Sequence, residues 1–324
     1  MTLSQVKKHF TDSLSDIYSD SESAFIFHIF AEYILGLNNF QQRQSADLEL
    51  SDENINKFQQ IVSELKTGKP YLQILGETEF YGMKIFVDEN VLIPRPETEE
   101  LLEFAIKKMR DARCKMRDSG FGFRDSDSEI SDINNRDFSE EKNAQTLLSN
   151  SQTLKLSNSP FKILDIGTGS GIIPLVLKKH FPEAEVTSID FSEKALKTAK
   201  KNADFHNLEI NFIHADYLSL DLNKNFDVII SNPPYIGIDE ESEIAISVKE
   251  FEPRMALFSP TSDALIFYRK IAEDSEKYLN KNGLLFLEIN QKLGKETLEL
   301  YKDFSHSELI KDLSENDRFI FGTK

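Results

Sequence analysis

The sequence predicts an α/β fold, in which a mainly parallel β-sheet is covered by helices on both faces and preceded by a small helical domain. From residue 161 onward, short apolar strands alternate with helical segments, and this alternation is typical of parallel strands joined by crossover helices. Residues 2–67 contain helical patterns only. A chain of 324 residues is long enough for one large and one small domain.

The region before the alternating part has clear element boundaries. Apolar residues recur at helical spacing after Ser51, a favoured helix N-cap, and the apolar segment 23–37 is expected to be a core helix with its aromatic side chains packed inside. The β-prone runs 71–75 and 84–87 are separated by glycines, which predicts a β-hairpin. The expected boundaries are 1–68 for the helical domain, 69–91 for a β-hairpin linker and 92–324 for the α/β domain.

Within the α/β domain, residues 110–159 depart from the alternating pattern. This segment is rich in Ser, Asp and Asn, and it offers too little apolar surface to offset the entropy of ordering the chain. We therefore expect a flexible insertion between a helix that ends near Met109 and the first strand. Strands are expected at 162–166, 185–190, 210–214, 227–231 and 284–289, with helices at 192–205 and 262–278 among them.

Composition narrows the classes of function. The chain has 55 acidic and 38 basic residues and a formal net charge of −17, whereas wide contact with nucleic-acid phosphates requires clustered basic residues. The single cysteine, Cys114, excludes an intrachain disulfide and a cysteine-based zinc cluster. The apolar stretch 24–37 includes His28 and Glu32 and is too short for a membrane span. We expect a cytoplasmic monomer without a metal ion and without a membrane or nucleic-acid partner.

A glycine-rich loop follows the first strand of the α/β domain. Its glycines allow the backbone to turn sharply and to approach a ligand closely. The G-x-G-x-G spacing is one residue shorter than the dinucleotide fingerprint, which favours S-adenosylmethionine over NAD as the ligand. A plain tight turn is the alternative interpretation. The candidate cofactor-binding residues of this loop are Gly167, Thr168, Gly169, Ser170 and Gly171.

The next two strands also end in residues that suit a nucleoside. Asp190 can accept hydrogen bonds from both ribose hydroxyls, although an Asp at this place can also cap the following helix. Asp216 can accept from an adenine amino group, and Tyr217 can pack on the adenine ring. Because the carboxyl ends of parallel strands meet at one edge of a sheet, these side chains and the glycine loop are expected to form one site.

The fourth strand ends in the most specific motif of the chain, Asn-Pro-Pro-Tyr at residues 232–235. An amide nitrogen is a weak nucleophile because its lone pair is delocalised, so a catalyst has to hold it against an electrophile. The side-chain oxygen of Asn232 and the carbonyl of Pro233 can accept from an NH₂ group, and consecutive prolines hold that carbonyl rigidly. A turn with a polyproline kink is the alternative. Tyr235 is expected to pack against the acceptor. We assign Asn232, Pro233 and Tyr235 to catalysis, these three and Pro234 to acceptor binding, and Asn232 also to the cofactor site.

Further segments resemble one known family. With the motif at 232–235, the segments 76–82 (Gly-Glu-Thr-Glu-Phe-Tyr-Gly), 92–99 (Leu-Ile-Pro-Arg-Pro-Glu-Thr-Glu), 251–254 (Phe-Glu-Pro-Arg), 287–289 (Leu-Glu-Ile) and 316–318 (Asn-Asp-Arg) resemble the peptide-chain release factor glutamine methyltransferases. The resemblance implies a Rossmann-like class I methyltransferase domain with a seven-stranded, mostly parallel sheet whose last strand is antiparallel. It also implies S-adenosyl-L-methionine as the cofactor. The implied substrates are class 1 release factors, which would be engaged by the helical domain and methylated on the N5 nitrogen of the glutamine in their Gly-Gly-Gln motif.

Several residues depart from the family pattern. Tyr217 stands where a tryptophan is common, and Asn290 and Glu315 stand where glycine is frequent. We expect these departures, like the insertion, to leave the Asn232 motif untouched. Arg95 is expected either to organise the entrance of the cofactor site or to order the acidic residues that follow it. Two functional alternatives stay open: a nucleic-acid (adenine N6) amino-methyltransferase with the same chemistry, and a non-catalytic or NAD-binding module.

Overall fold

The structure, a computed structural model, describes residues 1–118, 160–237, 240 and 246–324, but not the side chains of residues 114–118 and 246. It consists of a helical domain, a two-stranded hairpin and a seven-stranded α/β domain. From residue 119 onward, the flexible insertion expected at 110–159 lies outside the described residues. The helical domain contains α1 (Leu3–Leu14), α2 (Asp20–Leu35), α3 (Asn39–Gln44) and α4 (Asp52–Lys66).

The helices of this domain begin at side-chain caps. Thr2, Ser19, Asn38 and Ser51 each accept a hydrogen bond from the backbone N–H three residues later, which satisfies a donor that the helix itself leaves unpaired. In α1, α2 and α3 a Glu or Gln side chain also accepts a hydrogen bond from the backbone N–H of the cap residue, which completes a capping box. The predicted cap at Ser51 is therefore confirmed.

Helix α2 is the core helix of the domain, as the sequence predicts. The Phe27 ring lies 5.5 Å from that of Phe10 and 5.1 Å from that of Phe58, measured between ring centroids, so three helices meet at one aromatic cluster. The expectation that all its aromatic residues are buried is wrong, because Phe25 is 57% exposed. A helix in a bundle of this size has one face against its neighbours, and Phe25 lies on the other.

The prediction for the linker is partly wrong. Residues Tyr71–Leu75, expected as a strand, form the short helix α5, which ends at Gly76 in the left-handed conformation at φ +77°. Three side chains of α5, Tyr71, Ile74 and Leu75, pack on the core of the helical domain, and this packing outweighs the β propensity of the segment. The hairpin begins only after Gly76. It consists of the antiparallel strands β1 (Glu77–Phe80) and β2 (Met83–Phe86).

The α/β domain begins with α6 (Pro96–Asp118), which continues past the expected end near Met109 and so occupies the start of the predicted insertion. The described elements that follow are β3 (Lys162–Ile166), α7 (Ile172–His180), β4 (Glu185–Asp190), α8 (Glu193–His206), β5 (Asn211–His214), β6 (Phe226–Ser231), α9 (Ile246–Phe251), α10 (Arg254–Leu257), α11 (Ile266–Tyr278), β7 (Leu279–Glu288), a 3-10 helix (Gln291–Leu293), α12 (Gly294–Glu299), β8 (His306–Lys311) and β9 (Asp317–Thr323).

The sheet has the strand order β5-β4-β3-β6-β7-β9-β8. Strands β3 to β7 are parallel, and β9 is antiparallel to both of its neighbours, which confirms the predicted seven-stranded sheet with a reversed last strand. Successive residues of β3 face opposite sides, with Ile163 in one apolar core and Leu164 in the other. The strand order reverses between β3 and β6, and the crevice beyond their carboxyl ends is where open α/β sheets bind ligands. Within the described ranges, no helix combines the length and hydropathy that crossing a membrane requires.

One buried side chain joins the hairpin to the α/β domain. Asn202 on α8 accepts a hydrogen bond from the Phe86 N–H at 2.7 Å, and it donates to the carbonyl oxygens of Phe86 at 3.0 Å and of Ser170 at 2.8 Å. Helix α5 is joined to the α/β domain by a separate hydrogen bond, in which Gln73 donates to the Phe251 carbonyl at 2.8 Å. Residues of the linker thus bond directly to the segment that carries the Phe-Glu-Pro-Arg motif, and they are connected to the glycine loop through Asn202.

Candidate active site

A cavity of about 630 Å³ opens beyond the carboxyl ends of the parallel strands. This volume lies within the range of about 300–1,000 Å³ that is usual for small-molecule sites. Its wall brings together residues from four strand ends that the sequence assigned to the cofactor and the acceptor. They are Gly167, Thr168, Gly169, Ser170, Asp190, Asp216, Tyr217, Asn232, Pro233 and Pro234. Two assigned residues, Gly171 and Tyr235, lie outside the wall as the structure describes it.

The glycine loop turns at three left-handed residues. Gly167, Gly169 and Gly171 have φ angles of +84°, +53° and +88°, a conformation that other residues adopt only with strain. Gly171 has a further role in packing, because a Cβ at this position would lie 3.1 Å from the Cβ of Ala199 on α8. The loop thus places the start of α7 close to α8 and leaves the backbone of Gly167 and Gly169 along the cavity.

Asp190 is held by the glycine loop and by the residue that caps the following helix. Its carboxylate accepts from the Gly169 N–H at 2.9 Å and from the Ser192 N–H at 2.7 Å. The cap of α8 is Ser192, whose side chain accepts from the Ala195 N–H, so the alternative interpretation of Asp190 as the helix cap is wrong. Burial raises the pKa of the Asp190 carboxyl. A carboxylate has about four acceptor positions, so two further donors can bind it from the cavity.

Two aromatic rings line the part of the cavity near β4 and β5. Tyr217 is buried in the wall, and its ring has the Lys270 ammonium 5.4 Å from the ring centroid. Phe191, which directly follows Asp190, also lines the cavity and is 60% exposed. Phe191 was not predicted as a site residue, although its place directly after an acidic strand end is a usable signal. Asp216 is exposed, and its carboxylate accepts from the Leu218 N–H and the Ser219 hydroxyl of its own turn.

The Asn-Pro-Pro-Tyr motif divides between the cavity and the core. Asn232 lines the wall, and its Nδ2 donates to the Thr98 hydroxyl at 3.2 Å. Tyr235 points to the other side, where its hydroxyl donates to Glu288 at 3.4 Å. Direct contact between Tyr235 and an acceptor therefore stays a prediction. The expectation that Asn290 leaves the motif untouched is wrong, because its Nδ2 donates to the Tyr235 carbonyl at 3.2 Å.

Behind Asn232 lies a buried pair of residues, Thr98 and Glu288, that was not predicted from the sequence. The Thr98 hydroxyl donates to Oε2 of Glu288 at 2.7 Å, and both side chains are buried. Burial raises the pKa of Glu288 to about 7. Both residues stand inside the segments that carry the family resemblance, 92–99 and 287–289, but nothing in their spacing shows that they meet.

Arg95 connects two of the resembling segments at the edge of the cavity. Its guanidinium lies 2.5 Å from Oε1 of Glu252, and the other oxygen of Glu252 accepts from the Ile93 N–H at 3.0 Å. Glu252 is buried, so the ion pair and the backbone bond together fix the segment 92–95 against the Phe-Glu-Pro-Arg segment. This geometry favours the first of the two roles expected for Arg95, at the entrance of the site.

Comparisons with known proteins identify similar chains. The family described as Methyltransferase small domain matches residues 140–249. The chain is 39% identical to the release factor glutamine methyltransferase of Flavobacterium psychrophilum, over 99% of this chain and 98% of that protein. The proteins of the same name from Streptococcus pneumoniae and Bacteroides thetaiotaomicron are 33% and 30% identical, over 97% and 98% of this chain and 95% and 99% of theirs.

Identity at this level extends over nearly the whole of each relative, so it includes the helical domain and the hairpin as well as the sheet. A fold alone would not determine the chemistry, since one fold supports many activities. Here the aligned region spans the segments that line the cavity and the motif that follows β6. The chain is a methyltransferase and belongs to the family of release factor glutamine methyltransferases.

Proposed function

We propose that this protein transfers a methyl group from S-adenosyl-L-methionine to the N5 nitrogen of the glutamine in the Gly-Gly-Gln motif of class 1 release factors. The observation that carries the proposal is that Asn232 lines the same cavity as the glycine loop and Asp190. A group suited to an amide acceptor thus faces a site suited to a nucleoside. The names of the similar proteins support the release factor as the substrate class.

The cavity suits S-adenosylmethionine in size and in chemistry. Asp190 would accept from the ribose hydroxyls, and the rings of Tyr217 and Phe191 would pack against the adenine, with Asp216 near its amino group. The loop from Gly167 to Gly169 has no Cβ on its two glycines, so the ligand can approach the backbone. The cofactor supplies a methyl group on a positively charged sulfonium, which is a good leaving group.

At the acceptor end, the protein's task is to position the nitrogen. Oδ1 of Asn232 and the carbonyl oxygen of Pro233 would each accept one N–H of the glutamine amide, which holds its nitrogen toward the methyl carbon. In that position the nitrogen could take the methyl group that the cofactor would supply, and it would then lose one proton to solvent. Correct positioning of two reacting groups accounts for about 7–11 kcal/mol of barrier in favourable cases.

The charge of the chain favours a protein acceptor over a nucleic acid. The net charge is −17, and the charged residues in the described cavity wall are two acidic and two basic. They are Asp190, Asp216, Arg95 and Arg254. Arg95 forms an ion pair with Glu252. Nucleic-acid affinity depends on the counterions released when basic residues neutralise phosphates. A surface with this balance of acidic and basic residues would release few of them.

Transfer of labelled methyl groups tests the proposal. The protein is incubated with labelled S-adenosylmethionine and a purified class 1 release factor, with DNA and RNA in parallel reactions. We expect label in the release factor only, and none when the glutamine of its Gly-Gly-Gln motif is replaced. Label in nucleic acid, or equal labelling of the replaced release factor, would overturn the proposal.

A pair of asparagine variants tests the assigned acceptor site. Asn232→Ala should lower the transfer rate by roughly 100-fold or more, because the oriented acceptor oxygen is lost. Binding of S-adenosylhomocysteine should be largely retained, since most of the cavity wall remains. Asn211→Ala is the matched control, because Asn211 is exposed at the start of β5 and outside the cavity. Unchanged turnover in Asn232→Ala would exclude the assigned role.

A further inference from the structure

The side-chain amide of Asn232 can present either of two chemically opposite groups to the cavity. Its Oδ1 would accept a hydrogen bond from an acceptor nitrogen, whereas its Nδ2 would repel the N–H groups of the same nitrogen. The two orientations differ by a rotation that hardly changes the shape of the side chain. The neighbours of Asn232 must therefore determine which of the two groups faces the substrate.

The hydrogen bonds behind Asn232 determine the orientation. An ionised Glu288 can only accept, so the Thr98 hydroxyl gives its single proton to Oε2 of Glu288 at 2.7 Å. Having used this proton, the Thr98 oxygen can only accept from Asn232, which it does from Nδ2 at 3.2 Å. Oδ1 is the other atom of the amide, so it is the one left for the cavity.

We propose that Thr98 and Glu288 are positioning residues that orient the Asn232 amide with its oxygen toward the acceptor nitrogen. This inference rests on the proposed function, because it is the glutamine amide that requires an acceptor at this place. Neither residue touches the acceptor itself in this arrangement: Thr98 borders the cavity behind Asn232, and Glu288 lies behind Thr98. They act through Asn232.

Burial protects the hydrogen bonds of Thr98 and Glu288 from competition by water. Thr98 and Glu288 are each 1% exposed, so water does not compete for the Thr98 proton. The second oxygen of Glu288 accepts from the Tyr235 hydroxyl at 3.4 Å, and its backbone carbonyl accepts from the Tyr268 hydroxyl at 2.9 Å. The end of β7 is thus held at both its side chain and its backbone.

The same arrangement makes the orientation sensitive to pH. A protonated Glu288 can donate to Thr98, and Thr98 can then donate to Oδ1 of Asn232, which reverses the amide. Burial raises the pKa of Glu288 to about 7, so the change falls near neutral pH. The groups that face Glu288 are the hydroxyls of Thr98, Tyr235 and Tyr268 and the charges of Arg318, which favours ionisation, and Glu97, which opposes it.

Threonine variants separate positioning from a structural role. Thr98→Val keeps the shape and removes the hydroxyl, so we expect a kcat at least tenfold lower, with KM for the release factor and affinity for S-adenosylhomocysteine changed less than threefold. Thr98→Ser restores the hydroxyl and should keep kcat within about threefold of the original. Thr297→Val removes a hydroxyl that is buried in α12 and bonded to the Leu293 carbonyl, and it should leave kcat unchanged.

A pH profile provides a readout that a structural role would not change. The single-turnover rate of the original protein should rise as the pH increases through about 7, because ionisation of Glu288 fixes the productive amide. Glu288→Gln removes the titrating group, so its rate should be independent of pH in this window. A profile that is the same in both proteins would contradict the inference.

Nuclear magnetic resonance tests the orientation without any transfer reaction. The Asn232 side-chain NH₂ signals, identified by their loss in Asn232→Asp, should shift with pH through the same window, and this shift should be absent in Thr98→Val. Absence of the shift in the original protein would overturn the inference even if Thr98→Val failed to fold. If the original protein and Thr98→Val were equally active, only this inference would be overturned. If the original protein labelled no release factor, the proposed function would be overturned.

Discussion

The Gly169 N–H donates a hydrogen bond to the Asp190 carboxylate at 2.9 Å, so the end of β4 and the loop after β3 hold each other in place. These two strands are parallel neighbours, and their carboxyl ends therefore lie side by side. A nucleoside that bound Asp190 would meet a carboxylate already fixed by the loop. Such preorganisation lowers the entropic cost of binding.

Replacing the Asp190 carboxylate should weaken cofactor binding. Asp190→Asn loses the charge and one acceptor oxygen, and hydrogen bonds to charged groups contribute about 1.5–3 kcal/mol. We expect the affinity for S-adenosylhomocysteine to fall roughly 10- to 100-fold, measured by titration calorimetry. Asp227→Asn is the matched control, because Asp227 also accepts from a backbone N–H, that of Lys162 at 2.9 Å, but lies outside the cavity. Equal losses in the two variants would contradict the role of Asp190.

Removing the side chain of Asn202 should destabilise the protein. Asn202→Ala leaves the N–H and carbonyl of Phe86 and the carbonyl of Ser170 without this partner, and an unpaired buried polar group costs about 1–3 kcal/mol. We expect the free energy of unfolding to fall by at least that amount, as measured by urea unfolding followed by circular dichroism.

Asn211→Ala serves as the comparison for Asn202→Ala. Asn211 is exposed and makes a single long bond to Thr187 at 3.4 Å, so its removal should change the free energy of unfolding by no more than about 0.5 kcal/mol. Equal effects of the two substitutions would show that the hairpin is not fixed through Asn202.

The features that the sequence predicts well are those set by local pattern. The strands at 162–166 and 185–190 are found with the same bounds, because an apolar run between turn residues has few other ways to be buried. The glycine loop and the Asn-Pro-Pro-Tyr motif were also predictable from local sequence, because their backbone conformations allow few residue types.

The features that were missed depend on contacts between distant parts of the chain. Thr98 and Glu288 are separated by 190 positions, and no local pattern marks a Thr and a Glu as hydrogen-bonded. Helix α5 was expected as a strand because the run is β-prone, and the local pattern does not show that three of its side chains pack on the helical domain. Asn202 resembles any other polar residue of an amphipathic helix until the hairpin is placed beside it.

A glycine at position 315 should stabilise the protein. Glu315 has a φ of +64°, in the left-handed region that costs an ordinary residue about 1–2 kcal/mol. Glycine also loses more chain entropy on folding, roughly 0.5–1 kcal/mol. Glu315→Gly should therefore raise the free energy of unfolding by about 0.5–1 kcal/mol, measured by urea unfolding.

Asn282→Gly is a suitable comparison for Glu315→Gly. Asn282 has a φ of +63°, almost the same as that of Glu315, but asparagine tolerates this region far better. Its replacement should give little or no stabilisation. If both variants gained the same stability, the gain at 315 would not come from relief of backbone strain in a glutamate.

The unfolding free energy should decrease as the pH rises toward 7, because of two buried carboxyls. Burial raises the pKa of Asp165 and of Glu288 to about 7, from ordinary values of 3.8 and 4.5. Between the ordinary and the raised pKa, the folded protein keeps a proton that the unfolded chain has lost. Raising the pH through this window therefore favours the unfolded state, and above about 7 the loss is complete.

Replacing one of these carboxyls should make the pH dependence less steep. In Glu288→Gln, the slope of unfolding free energy against pH between 5 and 6.5 should become less negative by about 1.4 kcal/mol per pH unit, the contribution of one proton. Asp165→Asn should act similarly, although it alters the bond that the Ser188 hydroxyl donates to Asp165. Glu296→Gln, an exposed substitution on α12, should keep the original slope. Urea unfolding at several pH values measures each slope, and a slope unchanged in Glu288→Gln would mean that Glu288 is ionised across the whole window.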